Sequence, residues 1–128
     1  MSISGRIRRA MLGNGAERNL LMRDTNKLVA TAAIRSPMVQ EQDVERISKS
    51  RTINQEVLRV IASKGDWLEN HVIKVNLVSN PRTPLMYATK LVMHLRDDEL
   101  KRLEKSREVS APVRNLIKQQ LQRKNKGK

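Results

Sequence analysis

The sequence predicts an all-α protein, a solenoid of stacked antiparallel helices that ends in a basic tail. Three observations carry that expectation. Apolar residues recur with helical period along the chain, and no segment shows a convincing period of two. Residues 24–61 align with 80–117 at a constant offset of 56 and without a gap. The segments between apolar stripes are short, which favours antiparallel packing of neighbours.

Taken in order, helices are expected over 3–12, 16–22, 26–35, 40–49, 54–63, 67–78, 84–94, 97–105 and 110–122. Their core faces are expected to be Leu28, Val29, Ala32 and Ala33, then Val57, Val60 and Ile61, then Leu68, Val72 and Val75. Leu85, Ala88, Leu91, Val92 and Leu95 follow, and Val113, Leu116, Ile117 and Leu121 close the series. Thr83 before Pro84 reads as a capping hydroxyl ahead of a first-position proline. Asp66 and Glu69 have capping-box spacing, and Asn54 and Ser110 are N-cap residue types. The chain divides into a helical-repeat domain, 1–122, and a flexible basic tail, 123–128, which has nothing to bury.

Within the repeat, identical pairs are Ala32/Ala88, Arg46/Arg102, Lys49/Lys105, Ser50/Ser106, Arg51/Arg107, Val57/Val113 and Ile61/Ile117. Apolar matches such as Val44/Leu100 and Ile47/Leu103 keep the same helical face, and Asn54/Ser110 keep the same cap. A shorter echo sets Ile34-Arg35-Ser36-Pro37 over Val78-Ser79-Asn80-Pro81. Recurrence of a helical unit implies a stack in which each unit buries its apolar face on the next.

Composition removes several classes of function. With no Cys there is no disulfide scaffold, zinc finger or thiol nucleophile. One Trp, one Tyr and no Phe leave almost nothing for a base-stacking platform. Leu28 to Ile34 is the longest mostly apolar stretch, far short of the roughly twenty residues of a membrane span. No apolar run follows Arg6, Arg8 and Arg9, so a secretory signal is not expected and a cytoplasmic location is.

Net charge is +13, and it is uneven. Residues 1–30 carry six Lys/Arg and two Asp/Glu, 31–79 carry seven and six, and 80–128 carry thirteen and five. Positive charge gathers at the two ends of a nearly neutral middle, as suits a polyanionic partner.

The strings Arg23-Asp24-Thr25-Asn26-Lys27-Leu28-Val29-Ala30, Ser36-Pro37, Asn80-Pro81-Arg82-Thr83-Pro84 and Lys105-Ser106-Arg107-Glu108-Val109 resemble a group of small bacterial proteins with HEAT-like helical repeats. The resemblance spans roughly residues 6–121. It implies a HEAT-like α-solenoid in a bacterial cytoplasm, and it brings no catalytic residue with it. Proteins with such repeats mostly bind other macromolecules. The HEAT-like DNA glycosylases use aromatic residues around a lesion, which Trp67 and Tyr87 alone do not reproduce.

No constellation for catalysis stands out, and no catalytic, cofactor or metal residue is expected. His71 and His94 are the only histidines and lack metal-ligand spacing. Asp97-Asp98-Glu99 reads as the acidic first turn of a helix. Gly13-Asn14-Gly15 reads as a turn, Arg23-Asp24 as a local ion pair, and Trp67 as a packing anchor. Helix 3–12 reads as an end-cap of the stack rather than a membrane-surface helix.

The expected function is therefore non-catalytic binding of DNA or RNA through phosphates, with little sequence readout. Its candidate residues are Arg6, Arg8 and Arg9 at one end, and Arg114, Lys118, Arg123, Lys124, Lys126 and Lys128 at the other. Secondary candidates are the repeated positions Arg46, Lys49, Arg51, Arg102, Lys105 and Arg107, whose first reading is complementation of the helix dipoles and whose second is a ladder of phosphate contacts. The alternative is a protein–protein adaptor that holds a peptide or partner domain in the repeat groove.

Overall fold

The computed structural model describes residues 2–126, with side chains through residue 124. Among these residues every regular element is a helix. The ten are α1 (Ile3–Leu12), α2 (Gly15–Leu21), α3 (Lys27–Arg35), α4 (Glu41–Ile47), α5 (Gln55–Ser63), α6 (Gly65–Leu68), α7 (His71–Ser79), α8 (Leu85–Val92), α9 (Asp97–Glu104) and α10 (Ala111–Lys126).

The main packing runs along the chain. Helix α1 lies on α2 and α3, and α3 on α5. Helices α5, α6 and α7 follow in sequence, α4 also meets α7, and α7 meets α8. At the far end α10 packs on α8 and α9. One continuous apolar core joins these layers, from Ala10 and Met22 through Ile34, Leu58, Ile73 and Leu77 to Leu100 and Ile117.

The two aligned segments share some local features and differ in their packing, since α9 lies on α10 whereas α4 lies on α7. Residues 24–61 hold α3, α4 and α5, residues 80–117 hold α8, α9 and the start of α10, and α3 packs on α5 as α8 packs on α10. At the equivalent positions 40 and 96, the backbone N–H donates to a carboxylate three residues on. Gln40 reaches Asp43 Oδ2 at 3.3 Å and Arg96 reaches Glu99 Oε1 at 2.8 Å. After both helices the turn is closed by the same pair of bonds, Lys49 N to Arg46 O and Ser50 N to Ile47 O in one unit, Lys105 N to Arg102 O and Ser106 N to Leu103 O in the other. Asp24 and Asn80, also equivalent, each accept the N–H two residues on, from Asn26 at 2.8 Å and Arg82 at 3.0 Å. The apolar pairs Val44/Leu100, Ile47/Leu103, Val57/Val113 and Ile61/Ile117 are buried in both units.

Several local expectations need correcting. The helix expected over 67–78 is broken, because Asn70 Oδ1 accepts from Val72 N (2.9 Å) and Ile73 N (3.4 Å) and starts a new helix. The break rotates the core face of α7. Ile73, Leu77 and Val78 are buried while Val72 is exposed, and Leu68 and Val75 of the expected stripe are half-buried against the core. Leu28 and Leu85 also face out, and Ala30 and Ile34 complete the buried face of α3. Thr83 caps nothing. Its hydroxyl is buried without a partner, and the Pro84 carbonyl opens α8 by accepting from Tyr87 N and Ala88 N. Asp24 pairs with Arg6 (3.0 Å) rather than with Arg23. Helix α10 runs on to Lys126, so Arg123 and Lys124 lie on a helix and not in a loose tail.

Two residues fix the N-terminal turn. A Cβ on Gly13 would lie 2.5 Å from the Arg9 carbonyl oxygen, so the chain passes there only without a side chain. Arg18 is almost wholly buried and donates to Gly13 O (2.9 Å) and Met38 O (3.2 Å), tying the α1–α2 turn to the α3–α4 loop. Trp67 is buried in the core, with Lys64 Nζ 4.2 Å above its ring.

Candidate nucleic-acid interface

Of the seven end cations whose side chains are described, four make ion pairs or hydrogen bonds within the chain. Arg6 pairs with Asp24, and Arg9 pairs with Glu17 at 3.0 Å. Arg114 donates to the carbonyls of Ser106 (2.7 Å) and Val109 (3.1 Å), holding the α9–α10 loop. Lys124 reaches Asp97 (2.7 Å) and the Leu95 carbonyl (3.2 Å). Arg8, Lys118 and Arg123 remain exposed. The side chain of Lys126, and Lys128 altogether, lie outside the described residues. The two end clusters are not brought together, since α1 packs on α2 and α3 while α10 packs on α8 and α9.

The repeated positions fare differently. Arg46, in the last turn of α4, pairs with Asp43 one turn back on its own helix. Arg102 is exposed and makes no ion pair among the described residues. The two Lys-Ser-Arg segments, 49–51 and 105–107, end α4 and α9 in equivalent turns. They meet where Arg51 Nη2 of the first touches Glu108 Oε1 of the second loop at 3.0 Å. Each serine is held by a distant arginine: Arg23 Nη1 donates to Ser50 Oγ (3.2 Å), and Arg114 to Ser106 O. Lys49, Lys105 and Arg107 are exposed and have no carboxylate partner among the described residues. Arg23, Lys49, Arg51, Lys105 and Arg107 thus form one basic region, in which Glu108 is the carboxylate bound to a cation.

A cavity of about 310 Å³ opens beside this contact, lined by Lys49, Arg51, Asn76, Ser79, Asn80 and Glu108. Asn80 is nearly buried and positions the first loop by donating to Ser48 O (2.9 Å) and Ser50 O (2.8 Å). Asn76 donates to Glu45 O (3.0 Å) and Ser48 Oγ (3.1 Å). Both asparagines are absent from the expected site. The 34–37/78–81 echo was the signal near them, since a helix ending in the same way twice marks a junction between units.

His71 Nδ1 lies 3.2 Å from Oε1 of the buried Glu99, which also accepts from Arg96 N. Arg59 is held further up from its ordinary value, first by the Tyr87 hydroxyl and then by Glu56, and stays a permanent cation. Among the described residues no cluster of His, Cys, Asp or Glu has the makings of a metal site, and no helix is long and apolar enough to cross a membrane. No family model, curated protein or solved structure matches this chain.

Proposed function

We propose that this chain is a HEAT-like helical-repeat protein of the bacterial cytoplasm that binds nucleic acid through phosphates, without catalysis and with little sequence readout. The observation that supports it is the Arg51–Glu108 contact, which sets two equivalent Lys-Ser-Arg loops side by side with three of their cations unneutralised. Cations gathered at the meeting of two such loops suit a regular polyanion, because each neutralised phosphate releases condensed counterions. On this reading the contact residues are Lys49, Arg51, Lys105 and Arg107 with Arg23. Lys118 and Arg123 contribute from α10, and Arg114 and Lys124 act as struts.

The test is a titration of labelled duplex DNA and structured RNA at several salt concentrations. Replacing Lys49, Lys105 and Arg107 together by Gln lowers the salt slope by about two to three, at roughly 0.7–0.9 per phosphate contact. A wild type that binds neither polymer at low salt hands the case to the adaptor reading. The observation favouring that second reading is the exposure of Leu12, Leu20 and Leu28 on the N-terminal helices and of Met38 in the loop after α3.

A further inference from the structure

The cavity beside the paired loops offers two kinds of group, and a bare phosphate satisfies only one of them. Lys49 and Arg51 present charge at its edge. Asn76, 8% exposed, also lines it. Its Nδ2 donates to the Glu45 carbonyl, which can only accept, so the orientation of the amide is set by that bond. Its Oδ1 accepts from no group among the described residues. Ser79 Oγ donates to Asn76 O at 3.1 Å, which leaves its own lone pairs unused. Asn80 has no donor to spare, as its Nδ2 serves two carbonyls, and its Oδ1 already accepts from Arg82 N.

Cations next to idle acceptors call for a ligand that carries an anion and, within a few ångströms of it, a hydrogen-bond donor. A ribonucleotide unit has both, a phosphate and a 2′-hydroxyl, whereas a deoxyribonucleotide lacks the second. We infer that the cavity takes one ribonucleotide unit of an RNA strand, with the phosphate on Lys49 and Arg51 and the 2′-hydroxyl donating to Asn76 Oδ1 or Ser79 Oγ. The inference rests on the nucleic-acid reading above and narrows it to RNA. Glu108 does not block entry. Its pair with Arg51 is half-exposed or more on both sides, the class of surface ion pair that contributes little. A phosphate therefore displaces it readily.

The test compares single-stranded oligouridine with its 2′-deoxy and 2′-fluoro counterparts of equal length at fixed salt. Fluorine retains a ribose-like sugar but cannot donate. The expected result is about fivefold tighter binding of the ribo form than of either analogue, the worth of one hydrogen bond. Ser79→Met fills the cavity and removes one acceptor. It brings RNA affinity down to that of the deoxy strand, while an unchanged helical circular-dichroism spectrum and melting temperature show that the fold survives. Equal affinity for all three strands, with binding still weakened by Lys105→Gln and Arg107→Gln, overturns this inference and leaves the polyanion reading standing. Ribo and fluoro strands that bind alike and tighter than deoxy also overturn it, because sugar shape then decides. Loss of all binding at low salt removes both readings.

Discussion

Asn80→Ala tests whether one buried amide holds the proposed site in place. The side chain is 5% exposed and makes three hydrogen bonds, to Ser48 O (2.9 Å), Ser50 O (2.8 Å) and from Arg82 N (3.0 Å). Each is worth about 1 kcal/mol net, and truncation leaves their partners short of a bond, so a loss of about 3 kcal/mol is expected. For a chain of 128 residues, an unfolding entropy of about 2.1 cal/mol/K per residue converts this to a fall in melting temperature of roughly 11 °C. The assay is thermal unfolding followed by circular dichroism at 222 nm, with urea unfolding as a check on the slope. Because the two carbonyls belong to the loop that carries Lys49 and Arg51, RNA affinity should also fall at temperatures where the variant remains folded. A shift below about 3 °C would refute the argument, since the loop would then hold its shape without the amide.

Other expectations follow from the same geometry. Arg114→Gln loses two carbonyl contacts and should destabilise by about 2 kcal/mol in urea, whereas the exposed Lys118→Gln should stay within about 0.5 kcal/mol. Ile61→Ala and Ile117→Ala, at equivalent and fully buried positions, should each cost about 2–5 kcal/mol by the same unfolding measurement. Glu108→Gln removes the carboxylate bound to Arg51 and should strengthen binding to DNA and RNA alike, with little change in melting temperature. Gly13→Ala should lower the melting temperature by several degrees, because its Cβ meets backbone rather than a side chain that can move aside.

Helical character was written in the chain itself. A period of 3.6 and a cap such as Asn54, which accepts from Glu56 N at 2.9 Å, are local properties and act whatever the neighbours do. The paired apolar positions of the two units were legible for the same reason, since burial of Ile61 and Ile117 follows from their place on a helix face. The break at Asn70 was harder to see, because an asparagine side chain competes with the helix only when its geometry allows, and here Asn70 Nδ2 is also engaged by Glu41 and Glu45 from α4. Which cations are free was not legible at all. Arg114, Lys118 and Lys124 look alike in a basic stretch, yet one holds loop carbonyls, one faces solvent and one reaches Asp97. Charge along a chain is local, but the partner that neutralises it is brought by packing from residues far away in sequence. Arg6 finds Asp24, and Arg51 finds Glu108 fifty-seven positions on. The sequence therefore determined the helical character and the excess of positive charge. Only the tertiary structure decided where that charge remains unpaired, because pairing depends on distances in space that no period or spacing encodes.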